Sequence, residues 1–65
     1  MAKYRLCIRT LTGDRCYIKK AKEIPDATHQ LALKLDMREI ELASILKSVD
    51  EKKNRKWVRV WKEDY

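Results

Sequence analysis

An α+β domain is what this chain predicts, and three observations predict it. Residues 3–20 alternate apolar and polar side chains around the single glycine, Gly13. Residues 38–50 space their apolar side chains for a helix, and residues 55–62 form an alternating run rich in Val and Trp. A chain of 65 residues has room for one domain, 1–65, and buries only about 60% of its unfolded surface. The expected architecture is an N-terminal β-hairpin (about 3–11 and 14–20), one or two helices (about 26–35 and 37–50) and a C-terminal antiparallel strand (about 55–62). Helix covers one face of the small sheet.

The hairpin comes first. Tyr4, Leu6, Ile8 and Thr10 alternate with Lys3, Arg5, Cys7 and Arg9, and Cys16 and Ile18 alternate with Arg15, Tyr17 and Lys19. A three-residue loop Leu11-Thr12-Gly13, with Gly13 left-handed, pairs Thr10 with Asp14, Ile8 with Cys16 and Leu6 with Ile18. Every apolar side chain then shares one face, and Arg5, Arg9, Arg15, Tyr17 and Lys19 share the other. In this register Cys7 and Cys16 fall on opposite faces. Free thiols are therefore expected, with Cys16 a small core residue in a reducing cytosol.

The middle of the chain reads as helix. Leu42, Ile45, Leu46 and Val49 fall within one stripe, and Asp36 followed by Glu39 has the spacing of a capping box with Asp36 as N-cap. Leu31, Leu33, Leu35 and Met37 alternate as a strand would. Gln30, Leu31, Ala32, Leu33, Lys34 and Leu35 are nevertheless ordinary or good helix formers, which favours a first helix over 26–35. Asp50–Asn54 is read as the loop into the last strand.

Composition narrows the function. The net charge is +6, and it is segregated: residues 1–22 carry +6, residues 23–46 carry −3, and residues 47–65 carry +3. Any polyanion should meet the two ends. One His, two Ser and no glycine-rich loop leave no catalytic constellation, so a non-enzymatic protein without cofactor is expected. Two Cys and one His do not make a four-ligand zinc site, and Asp36, Glu39 and Glu41 read as caps and solvated helix rather than as metal ligands. His29 reads as a surface residue. No apolar run reaches the roughly 18 residues of a membrane span, and no signal-peptide core follows Met1, so a cytoplasmic protein without membrane contact is expected.

If Val58 and Val60 face the helices, then Trp57, Arg59 and Trp61 join Arg5, Arg9, Arg15, Tyr17 and Lys19 on the outer face of the sheet. The opposite arrangement fills the core with Trp57 and Trp61 but turns Arg59 inward, where a charge is costly. Rings for stacking beside cations for phosphates are what sequence-tolerant nucleic-acid binders use. The basic run containing Lys53, Arg55 and Lys56 extends the track. The expected function is an accessory or regulatory module that binds nucleic acid, DNA or RNA. A second expectation is an interaction or inhibitor module docking on an acidic protein. Leu33, Met37 and Ile40 form a minor apolar patch suited to a homodimer through the helix side.

Residues 31–46 also resemble the helix-turn-helix motif of DNA-binding regulators. Ala32 stands where two helices cross closely, Asp36 at the turn, and Leu31, Leu35, Met37, Leu42 and Ile45 at the apolar spacings. The resemblance implies a DNA-binding regulator in which Arg38 and Ser44 matter more than Arg9. Glu39, Ile40 and Glu41 stand at the reading positions and would repel phosphate, which ranks this third.

Overall fold

Tyr4, Leu6 and Ile8 alternate along β1 (Ala2–Thr10) and are all buried, so the middle of one face of this strand is core. The computed structural model describes residues 1–63 and builds the rest of the fold around β1. The element order continues with β2 (Gly13–Ala21), α1 (Ile24–Lys34), α2 (Glu39–Ile45), β3 (Leu46–Lys53) and β4 (Lys56–Lys62). One antiparallel sheet has the strand order β2-β1-β3-β4. Both helices pack on the face that carries Tyr4, Leu6 and Ile8, where Ala27, Leu31, Ala32, Leu42, Leu46 and Val49 complete the core. The α+β class and the helix-covered antiparallel sheet stand as the sequence predicts.

The hairpin register differs by one residue. Thr10 pairs with Gly13, so the loop is Leu11-Thr12, and Gly13 takes its left-handed φ of 117° as the first strand residue. Ile8 consequently faces Arg15, and Leu6 faces Tyr17. Side chains alternate with period 2, so the slip moves all of β2 to the opposite face. Arg15, Tyr17 and Lys19 lie on the helix side, and Ile18 is 55% exposed on the other. What replaces Ile18 inside is Tyr17, packed against the core, and Ala21, fully buried. Cys7 now stands directly opposite Cys16, and the two form a disulfide in place of the expected free thiols. Cys16 is exposed rather than core.

The 26–35 helix is present and starts slightly earlier, with Pro25 in its first turn, where its missing N–H costs nothing. Asp26 in the first turn and Lys34 in the last complement the helix dipole. At the far end, Asp36 donates its N–H to Leu33 O (3.2 Å) and Met37 to Ala32 O (3.0 Å), with Asp36 left-handed at φ 53°. This is a Schellman-type ending. Asp36 therefore closes α1, and Arg38 rather than Asp36 is the N-cap of α2.

The second helix stops at Ile45, and residues 46–53 form β3 instead of continuing it. Leu46 and Val49 are three apart, a helical interval, yet both point into the core from a strand. A bulge makes this possible: Cys7 pairs with Ser48 and Ile8 with Leu46, which leaves Lys47 without a partner on β1. The strand also runs through Asp50–Lys53, and only Asn54 and Arg55 form the turn. Both have positive φ (48° and 65°), as a two-residue turn of the I′ kind requires.

Candidate nucleic-acid interface

Neither helix packs extensively on β4, and none covers the sheet face opposite the core. The strand registers place Lys3, Arg5, Cys7 and Arg9 of β1 on that open face, with Asp14, Cys16, Ile18 and Lys20 of β2. From the other half come Ser48, Asp50 and Lys52 of β3 and Trp57, Arg59 and Lys62 of β4.

Asp50 organises the centre. It is 2% exposed, accepts Arg5 Nε and Nη2 on Oδ2 (3.1 and 2.9 Å), and accepts Arg59 Nε on Oδ1 at 2.6 Å. Burial alone would raise its pKa. The hydrogen bonds and charges of Arg59 and Arg5 outweigh burial and hold the carboxyl below its ordinary 3.8. The guanidiniums stay part-exposed, with donors left over for a second acceptor. Arg5 also lies over the Trp57 ring, 4.7 Å from its centroid, and Lys52 Nζ sits 4.9 Å from the same centroid. Toward one end of the face, Arg9 pairs with Glu63 at 2.8 Å and Lys47 with Asp14 at 2.7 Å. Lys3, Lys20 and Lys62 make no ion pair among the described residues. A shallow depression of about 280 Å³ lies over the disulfide, between Lys47, Arg59 and Lys62.

Of the residues expected on the interface, Arg5, Arg9, Trp57 and Arg59 come together here. Arg15, Tyr17 and Lys19 do not, because of the hairpin register. Trp61 is also removed: Val49 pairs with Trp61 but Asp50 with Arg59, so the bulge residue Val60 returns Trp61 to the helix side. Trp61 is nevertheless 40% exposed, because little helix packs over β4, and Val58 and Val60 are left 42% and 36% exposed for the same reason. Lys53 and Lys56 pair across the end of the β3–β4 hairpin on the helix side, Lys53 lying 3.8 Å from Glu51, so they too leave the expected face, and Arg55 stands in the turn. Sequence reading missed Lys3, Lys20, Lys52 and Lys62. The alternation of β1 already put Lys3 beside Arg5, whereas Lys52 was invisible while residues 46–53 read as helix and loop. Asp50 was missed for the same reason.

On the helix side, Glu39 and Glu41 are exposed on α2, Glu39 paired with His29 and Glu41 with Arg38 at 2.7 Å. His29 is on the surface, as expected. Leu33 and Ile40 are 68% and 73% exposed. Among the described residues no group of three or more His, Cys, Asp and Glu is placed to hold a metal, and no helix is long and apolar enough to cross a membrane. Comparison with protein-family models, with curated proteins and with solved structures gives no match.

Proposed function

We propose that this protein is a non-enzymatic module that binds nucleic acid by its phosphate backbone, across the helix-free face of the sheet. One observation carries the reading: Lys3, Arg5, Lys20, Lys52, Arg59 and Lys62 share one uncovered face, and the carboxylate at its centre is buried beneath two of them. Asp50 fixes Arg5 and Arg59 before any ligand arrives, which lowers the ordering cost of binding. Lysines at both ends extend the track, and of the turn cations Arg55 continues it, whereas the register turns Lys53 and Lys56 to the helix side. With Tyr17 and Trp61 on the other side, base stacking falls to Trp57 alone. Recognition is therefore tolerant of sequence.

Fluorescence anisotropy with mixed-sequence single- and double-stranded oligonucleotides tests this. The expected result is micromolar binding at about 50 mM salt that weakens roughly 40-fold at 200 mM on duplex, for three phosphates contacted. Arg5→Gln and Lys20→Gln should each weaken it, and Arg15→Gln should not. Absence of binding at low salt overturns the reading.

A second reading, docking on an acidic protein, draws on the cations already lying against Trp57. It predicts that Trp57→Ala leaves binding to the partner intact, whereas the same change weakens single-stranded nucleic acid. For assembly we propose a homodimer through the exposed Leu33 and Ile40 on the helix side.

A further inference from the structure

Behind the hairpin tip lies an open groove of about 750 Å³, on the helix side of the sheet. Ile8, Tyr17, Leu35, Met37 and Ile45 line it with apolar surface, and all five also belong to or pack against the core. Leu11 stands at its edge, fully exposed at the tip of the β1–β2 loop. Arg15 also lines the groove, and it has no ion-pair partner among the described residues.

These features select an occupant. The volume is within the range of ligand sites, but an open groove cannot enclose a small molecule on the 70–90% of its surface that such sites usually bury. A second copy would bring its own Arg15 against the same rim, a juxtaposition of like charges without an acidic side chain lining the groove to relieve it. We infer that the groove takes an amphipathic acidic segment of a partner protein. Its apolar side chains would seat on Ile8, Met37 and Ile45 and one carboxylate on the Arg15 guanidinium, the helix-in-groove mode of recognition. The groove opens on the helix side and the basic track on the opposite face, so the two surfaces can be occupied together. The protein then tethers an acidic partner to a polyanion.

A random 12-residue peptide library displayed on phage and selected on the intact protein is the test. Enriched peptides should combine apolar residues at intervals of three and four with at least one Asp or Glu. Synthesised singly, they should shift the amide resonances of Thr10, Leu11, Thr12, Ser44 and Ile45. Arg15→Gln should weaken them about threefold to fivefold, as an exposed ion pair predicts. Leu11→Ser should weaken them as well, and Lys22→Gln, far from the groove, should not. Leu11 and Arg15 are exposed, so these variants retain the fold, which far-UV circular dichroism verifies. Enriched peptides that lack acidic residues, that map to the open sheet face, or that bind Arg15→Gln unchanged overturn the inference. So does a failure to enrich any peptide.

Discussion

Asp50 is the residue on which the most turns. It is a buried carboxylate on an otherwise solvated sheet face, held by guanidiniums on two neighbouring strands. Removing one member of a fully buried pair costs about 3–5 kcal/mol; here Arg5 and Arg59 reach water, so Asp50→Asn should cost about 1–2 kcal/mol in urea unfolding. The pH dependence follows from its lowered pKa. A carboxyl with a depressed folded pKa stabilises the fold above its unfolded pKa and loses that stabilisation as pH falls through the folded value. Wild-type stability should therefore decline as pH falls below about 4, and Asp50→Asn should flatten that decline. The disulfide is the second such residue-scale feature. Replacing Cys7 and Cys16 together by Ser should cost about 2–3 kcal/mol in the chain-entropy account of a short loop, read as the difference in urea midpoint from the oxidised protein.

At the scale of elements, the informative case is β3. Its Leu46 and Val49 continue the stripe of Leu42 and Ile45, so 38–50 presented a single helical pattern to any local reading. Without β3, however, β4 would have no strand to pair with, and the Arg5 side of β1 would have no Asp50. Cross-strand pairing overrides the local preference. The bulge at Lys47 is the device that reconciles a spacing of three with a strand. The β3–β4 turn yields a prediction of its own. Arg55 adopts φ 65°, a conformation that glycine takes without steric cost. Arg55→Gly should therefore raise stability by about 0.5–1 kcal/mol, or several degrees in Tm, while weakening nucleic-acid binding if the turn extends the phosphate track. A binding loss accompanied by a stability gain would separate the two roles of this position.

At the scale of the whole molecule, the helices cover β1 and β2 on one side only, and the chain is left with surfaces of unlike character. One sheet face is basic and open. The helix side carries the apolar groove and the exposed Leu33 and Ile40. If Leu33 and Ile40 join two copies, light scattering at tens of micromolar should give twice the 7.8 kDa chain mass, and Ile40→Glu should return the monomer value. A monomer mass at all concentrations removes the dimer and leaves the basic face untouched.

Legible in the sequence alone were the alternation of β1 and of the last strand, the left-handed Gly13, the charge segregation that makes an open basic face and, against a strand alternative, a helix over 26–35. These are local properties, written in period, propensity and composition. Tertiary structure alone decided the rest. Tyr17 and Ile18 are equally able to face a core, and the choice fell to what lies above and beside them: Ala21 buried at the end of the same strand and Cys16 opposite Cys7. One residue of register moved Arg15, Tyr17 and Lys19 off the open basic face. One bulge residue, Val60, moved Trp61 with them. In a strand of period 2 an odd residue reverses every side chain beyond it, and whether an odd residue is present is fixed by the neighbouring strand rather than by the residues themselves.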